Sequence, residues 1–259
     1  MKLLFQSDDY GFTEAITYGI LKGIREGVIR NTGLFTNMPS SALAASHIKD
    51  HPECCFGVDI NIVAGRPVSD PLKIPGLVDE HGVFIASTQR NLSINSQNEK
   101  VADPFIYEEV VLEARAQVNR FIELVGHKPE YLHPHSVMTD NLVRALRDVA
   151  REFEIPFSME FLANNGVHFV SNDWNPKPFN LDVQSKTDVT HNTLRVLPEV
   201  LEHEASIIIC HAGFVDDAVL ENSTYSLIRV KDLAMATSPA VKEYLNEHQI
   251  ELITYRDLM

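Results

Sequence analysis

LLFQSDDYGFTEAITYGI, residues 3–20, opens as a short apolar run, breaks into a polar turn and resumes with apolar residues at helical spacing. Lys2 to Gln6 predicts a buried strand, Ser7 to Thr13 a turn, and Ile16, Ile20, Leu21 and Ile24 the inner face of a helix that Gly27 ends. A strand that turns straight into an amphipathic helix is the opening unit of a βαβ arrangement. The same rhythm follows: a strand near Thr32 to Thr36, a short helix near Ser41 to Lys49 and a strand near Cys55 to Ile62. Beyond these, a long helix is predicted from Ile106 to Leu124, a strand near Tyr131 to His135 and a helix near Asn141 to Phe153. Strand-like runs recur at Pro156 to Phe161 and Ser206 to Cys210, and the chain closes with a helix near Val241 to His248 and a strand near Glu251 to Thr254. The expectation is one α/β domain over residues 1–259, built mainly from parallel strands.

Periodicity fails in two places. Val63 to Phe105 and Leu162 to Asn180 collect Pro, Gly, Ser and Asn, and the second holds Trp174. Each reads as a lid, a substrate wall or a subunit contact, or else as a plain solvent-facing excursion.

With 44% hydrophobic and 22% charged residues the chain can bury a large core, which argues against extensive disorder. A net charge of −14 excludes nucleic acid as a natural partner, because binding a polyanion depends on many Lys and Arg contacts. Cys54, Cys55 and Cys210 lie in apolar contexts and read as small core residues in a reducing compartment. The apolar run Leu3 to Phe5 is too short for a leader peptide, and no stretch of about 20 apolar residues follows, so a cytoplasmic protein without a membrane segment is expected.

The polar residues fall where the apolar strands stop. Asp8 and Asp9 follow the first strand, Asp59 lies in the third, His133 and His135 end the fourth, and His211 follows SIIIC. In parallel α/β folds the carboxyl ends of the strands carry the ligand site, so these residues can meet at one mouth. Adjacent carboxylates resist joint ionisation when desolvated; a divalent cation on Asp9 would relieve this and leave Asp8 to take a proton from water. His133 and His135 share one face of a strand, and either completes a set of oxygen and nitrogen ligands suited to Zn, Mn, Fe, Co or Mg. Taken singly, each has a plainer reading. An Asp pair after a strand is commonly a turn and helix N-cap, and His211 a satisfied strand-end histidine.

Five segments in order resemble the YdjC-like, or ChbG-like, carbohydrate deacetylases. They are the opening stretch with its Asp-Asp-aromatic-Gly turn, NTGLFTNMPSS (31–41), FGVDINIVAGRPVSD (56–70), YLHPHSV (131–137) and IIICHAGFVDDAVLENSTYSLIRVKDL (207–233). The resemblance implies a distorted (β/α) barrel of the polysaccharide-deacetylase type and one divalent metal. It also implies hydrolysis of an N-acetyl group from an amino sugar in a short oligosaccharide of the chitooligosaccharide type, phosphorylated or not. Asp8 is then the general base, Asp9 and His135 metal ligands, and His211 the general acid. A homodimer is also implied. Tyr10, Phe12 and Arg66 are candidates for holding sugar, the aromatic faces on C–H surfaces and the guanidinium on a phosphate or carbonyl.

Two motifs depart from the family pattern. Where it has Gly-x-His the chain reads Gly57, Val58, Asp59, and where it has Asp-x-His-x-His the chain begins His133, Pro134, His135. Asp and His are exchanged. If Asp59 and His133 compensate as ligands, the site is more negative and harder, which favours Mg or Mn over Zn; Mg is the first expectation, with Zn, Mn or Co as alternatives. The alternatives are a phospho-glycoside hydrolase, which needs carboxylates placed across a glycosidic bond, and a non-catalytic sugar-binding homologue with an altered metal site.

Overall fold

A computed structural model of the chain describes residues 1–94, 103–171 and 178–259. Trp174 lies outside the described residues, as does part of each irregular region. The elements run β1 (Lys2–Tyr10), α1 (Glu14–Glu26), β2 (Asn31–Leu34), α2 (Ser41–Ile48), β3 (Cys55–Ile60), α3 (Ser87–Ile94), α4 (Tyr107–Val125), β4 (Leu132–Pro134) and α5 (Asp140–Phe153). They continue with α6 (Ser158–Asn164), β5 (His168–Phe169), α7 (Leu181–Lys186), α8 (Val189–Val196), β6 (Ala205–Cys210), α9 (Asp217–Asn222), α10 (Leu227–Ala236), α11 (Pro239–Glu247) and β7 (Glu251–Ile253).

The strands form one curled sheet in the order β4, β3, β2, β1, β6, β5, and every pairing between them is parallel. On one edge of β1, β7 pairs with Lys2 to Leu4 and β2 with the residues from Gln6 onward; β6 lies along the other edge. Among the described residues no ladder joins β4 to β5, so the barrel is distorted, as expected from the motifs.

Strand alternation divides the apolar residues between two layers. Leu3, Phe5, Phe56, Val58 and Ile208 face the surrounding helices and belong to the main core. Leu4, Cys55, Tyr131, Ile207, Ile253 and Tyr255 face inward and plug the barrel. The site stands on that plug, because Gln6 and Asp8 share the face of Leu4, Asp59 that of Cys55 and His133 that of Tyr131.

One expected strand is a helix. In Pro156 to Phe161 only Phe157 bridges to Leu132, and α6 begins at Ser158. A short apolar run carries no period that separates a buried strand from a buried helix. The three cysteines are free and buried, consistent with their reading as core residues.

Gly33 on β2 sets how the inner face is filled. A Cβ built there would stand 1.7 Å from Oδ1 of Asp59, so the Asp59 side chain occupies the space a larger residue would take. Gly33→Ala is expected to destabilise by about 1–3 kcal/mol through overpacking, and by clearly less in an Asp59→Ala background, where the conflict is gone. Urea denaturation of the four proteins of that cycle measures the coupling; strictly additive losses would refute the contact as the cause.

Candidate active site

β1 carries the two carboxylates within the strand rather than in a turn after it. The pairing of β1 with β2 slips between Ser7 and Tyr10, and Asp9 sits in the left-handed region at φ 73°. Such a bulge breaks the alternation of faces, and Asp is among the few side chains that tolerate this backbone. Asp8 keeps the inner face and Asp9 is turned to meet residues above it. Tyr10, which strict alternation would place inward, is thrown to the helix side. It is fully buried there, its hydroxyl donates to the carbonyl of Ala44 at 2.8 Å, and its ring packs on Phe56. Tyr10 is therefore a core residue and not a sugar-binding one, which corrects the expectation from sequence.

Asp9 Oδ2 accepts a 2.6 Å hydrogen bond from Arg229 on α10, and Oδ1 stands 3.0 Å from Nδ1 of His135. Burial pushes the Asp9 carboxyl up, but the charges of Arg229 and His135 outweigh it and hold the group well below the usual carboxylate range. Asp8 is braced differently. Gln6 donates to its Oδ1 at 2.7 Å and itself accepts from the Tyr255 hydroxyl at 2.8 Å. Its Oδ2 lies 3.5 Å from Nε2 of His133 and 4.0 Å from Nε2 of His211. Burial again works upward, and His133 with His211 brings the carboxyl below its ordinary value, so Asp8 is ionised at neutral pH.

His133 and Asp59 are direct register partners across β3 and β4, so the two exchanged residues are neighbours on one inner face. His133 Nδ1 lies 2.7 Å from the hydroxyl of Ser158. Burial lowers its pKa, but Asp8, Asp59 and Asp9 reverse this and bring it to about 8. Asp59 accepts the backbone N–H of Asp9 at 3.1 Å. Burial, with the nearby charge of Asp8, raises its carboxyl well above the usual range.

A divalent cation is testable against these donors. Among the described residues no three His, Cys, Asp or Glu side chains already stand around one point. The donor chemistry fits nonetheless at a pair. Asp9 Oδ1 is buried with no hydrogen-bond partner, its contact with His135 not being aligned as a hydrogen bond. Two ligands about 2.1 Å from an ion and at right angles stand about 3.0 Å apart, which is their separation. Asp59 Oδ1 is a further buried oxygen without a partner. His133, also expected as a ligand, stands apart from this pair: its nitrogens face Ser158 and Asp8, where it is a charged neighbour of Asp8.

These groups open into a chamber of about 490 Å³ lined by Asp8, Asp9, His135, His211, Tyr225 and Arg229 among others. Phe12, packed edge-on against Phe35, forms part of its wall. Val63, Ala64 and residues 86–88 also line it, so the first irregular region does serve as a wall. Arg66 lies in a neighbouring chamber, with one Nη donating to the carbonyl of His81 at 3.0 Å. Asp232 on α10 was not singled out from sequence. It accepts the backbone N–H of His211 at 2.8 Å and the Tyr225 hydroxyl at 3.1 Å. Arg229, Tyr225 and Asp232 lie within the last quoted motif, and Gln6, Ser158 and Tyr255 had no signal beyond strand parity.

A curled parallel sheet with carboxylates and imidazoles at its carboxyl mouth is the architecture of polysaccharide-deacetylase-type barrels. The chain belongs to the YdjC-like family, whose sequence profile matches residues 2–247. Carbohydrate deacetylase 2 of Listeria innocua serovar 6a is 31% identical over 100% of this chain and 99% of its own length. A crystal structure from Enterococcus faecalis V583, provisionally described as a cellobiose-phosphate cleavage protein, superposes with a TM-score of 0.80 at 24% identity, covering 99% of this chain and 98% of that one. A peptidoglycan N-acetylglucosamine deacetylase has the same fold at lower similarity, with a TM-score of 0.55 and 11% identity over 100% of this chain and 87% of its own. The place of this chain is thus in a family whose curated relatives are named carbohydrate deacetylases. Among the described residues no helix is long and apolar enough to cross a membrane.

His133 makes stability depend on pH. Its folded-state value of about 8 exceeds the ordinary 6.5, so its contribution is complete below about pH 6.5 and lost as pH rises through about 8. The difference corresponds to about 2 kcal/mol, shared with Asp8. Melting of metal-free protein should therefore shift downward between about pH 6.5 and 8.5, and His133→Gln should flatten the profile over that window. A wild-type profile that is already flat there would contradict a charged His133.

Proposed function

We propose that this chain is a metal-assisted deacetylase that removes an N-acetyl group from an amino sugar of a short oligosaccharide. The observation that carries the reading is the convergence of Asp8, Asp9, His135 and His211 on one chamber at the carboxyl end of the barrel. Asp9 and His135 would hold the ion, and Asp59 is the third candidate donor. A divalent ion there would polarise the acetyl carbonyl and make an attacking water more acidic.

The remaining work falls to the chain. Asp8, fixed by Gln6 on one oxygen and facing His133 and His211 with the other, takes the proton of the water that adds to the amide carbon. His211 is one-third exposed and fixed through its backbone N–H to Asp232, and it gives a proton to the leaving nitrogen as the C–N bond breaks. Acetate and a free amine leave. Arg229, in the wall of the chamber, donates to Asp9 and keeps it ionised, so that the carboxylate is available to a cation at neutral pH. The reading of the first motif as base and ligand, rather than as a glycosidase pair, is supported by Asp8 and Asp9 being held side by side at one end of β1, where carboxylates on opposite faces of a glycosidic bond are not formed.

Acetate release from N,N′-diacetylchitobiose, with Mg, Mn, Co or Zn supplied, tests the reading. Asp8→Asn should lower kcat by about 10²–10⁴ while leaving metal binding intact, and Asp9→Asn should abolish metal binding. No acetate under any of these metals would end the proposal. Asp59→His tests the exchange: if Asp59 donates, titration calorimetry should show Zn affinity rising relative to Mg and Mn as imidazole replaces carboxylate. Unchanged relative affinities would remove Asp59 from the ligand set.

A further inference from the structure

Two tyrosines lie face to face in the barrel plug beneath the site. Tyr131, just before β4, and Tyr255, in the turn that follows β7, stack with ring centroids 4.1 Å apart and planes inclined by 20°. Both are fully buried, but their hydroxyls differ. That of Tyr131 has no hydrogen-bond partner among the described residues, whereas that of Tyr255 donates to Oε1 of Gln6 at 2.8 Å. Packing accounts for the rings. It does not account for one hydroxyl being tied into the polar layer above them.

Gln6 carries the link to Asp8. Its side chain is fully buried on the inner face of β1, and its Nε2 donates to Oδ1 of Asp8 at 2.7 Å. A carboxylate only accepts, so the amide must turn its NH2 toward Asp8 and its carbonyl toward Tyr255. The Tyr255 hydroxyl satisfies that carbonyl. Without it the buried oxygen would lack a donor, and the relief open to the amide is to turn over, which would set its oxygen against the carboxylate. In the order observed, Oδ1 of Asp8 is occupied and Oδ2 is the oxygen that faces His133 and His211.

The turn after β7 is built to hold this hydroxyl still. Asn31 on β2 donates to the carbonyl of Ile253 and accepts the backbone N–H of Tyr255, each at 3.1 Å. Thr254 and Asp257 close a reciprocal cap over the turn. Arg256 donates to the carbonyls of Pro52 and Cys54, each at 2.8 Å, and pairs with Glu130. Contacts of this kind fix a reacting group before substrate arrives, and a small misplacement of such a group lowers the rate steeply.

We infer that Tyr255 is a positioning residue for the base, acting through Gln6 to fix which oxygen of Asp8 meets the reacting water. The inference rests on the reading of Asp8 as general base. It gives the turn after β7 a part in the reaction that is separate from that of Arg229, which holds Asp9, so cation binding should not depend on it.

The test uses the full chain, metal-loaded, and acetate release from N,N′-diacetylchitobiose. Tyr255→Phe keeps the stack and removes the hydroxyl; it should lower kcat by at least about tenfold, with KM and calorimetric metal affinity unchanged. Tyr131→Phe removes the unpartnered hydroxyl from the same stack and should leave kcat at the wild-type value. Gln6→Met breaks the link from its other end and should lower kcat at least as far, and adding Tyr255→Phe to it should lower kcat no further. Equal rates for the two Phe variants, a Tyr255→Phe loss that adds fully to that of Gln6→Met, or a fall in metal affinity to match the fall in kcat would overturn the inference. A reading independent of activity comes from the side-chain amide of Gln6 in heteronuclear NMR spectra, assigned by its loss in Gln6→Met. That signal should shift and exchange faster with solvent in Tyr255→Phe and stay unchanged in Tyr131→Phe. If wild-type protein releases no acetate, the deacetylase reading falls; the amide response then keeps the positioning of Asp8 by Tyr255 standing, and its absence overturns that as well.

Discussion

Two consecutive carboxylates, Asp8 and Asp9, are buried at the mouth of the barrel, and the surrounding structure is arranged around that constraint. A carboxylate removed from water without compensation would protonate rather than stay charged. Compensation comes from far along the chain: Arg229 on α10 and His135 after β4 answer Asp9, while Gln6, His133 and His211 answer Asp8. The buried Arg229 and Asp9 pair adds little net stability when whole, because desolvation offsets its attraction; losing one partner leaves a stranded charge, at about 3–5 kcal/mol. The last helical segment is thus tied to the first strand by electrostatics as well as by packing.

Those charges reach the site only because β1 departs from regularity. A strict strand would send Asp8 and Asp9 to opposite faces, one into the barrel and one among the helices. The slip after Ser7 and the left-handed backbone at Asp9 bring both to the mouth, and they spend the inward position of Tyr10 to do it. What Tyr10 gives up in the site it returns to the core, where it is buried against Phe56 and bonded to α2. The side chain of Asp59 can then lean across Gly33 to the backbone N–H of Asp9. The bulge is stabilised from β3, across the intervening β2, by the residue that departs from the family pattern.

The succession of strands along the chain and the gathering of acids and imidazoles at their ends were legible because short apolar runs bounded by polar turns mark strands, and the carboxyl ends of parallel strands carry the ligand site. Asp8, Asp9, His135 and His211 stand out by that rule, and their expected roles came from the family motifs. Tyr10 was misplaced because a bulge leaves no trace in side-chain pattern: the sequence reads as though alternation continued. α6 was read as a strand because Phe157 and its neighbours are apolar without enough length to show a period. His133 was grouped with His135 by spacing, and only the positions of Ser158 and Asp8 show that its nitrogens point elsewhere. Gln6, Ser158, Tyr255 and Asp232 act by contact across distant elements, which no local pattern encodes.

The exchange of Asp and His between positions 59 and 133 alters the site less in composition than in field. Because the two are register partners on one inner face, the strand pair still holds one carboxyl and one imidazole. The order matters for Asp8. With imidazole at position 133, Asp8 faces a cation across the inside of the barrel and is pulled below its ordinary value. A carboxylate in that place would push Asp8 upward by like-charge repulsion. The present order therefore keeps Asp8 ionised and weakly basic. In the proposed reaction that lower basicity would shift the burden of activation onto whatever acidifies the attacking water. The carboxyl at position 59 accepts the backbone N–H of Asp9 with one oxygen, and its other oxygen packs against Gly33. The exchange thus sets a charged imidazole beside Asp8 and a buried carboxyl against the backbone of Asp9 in one step.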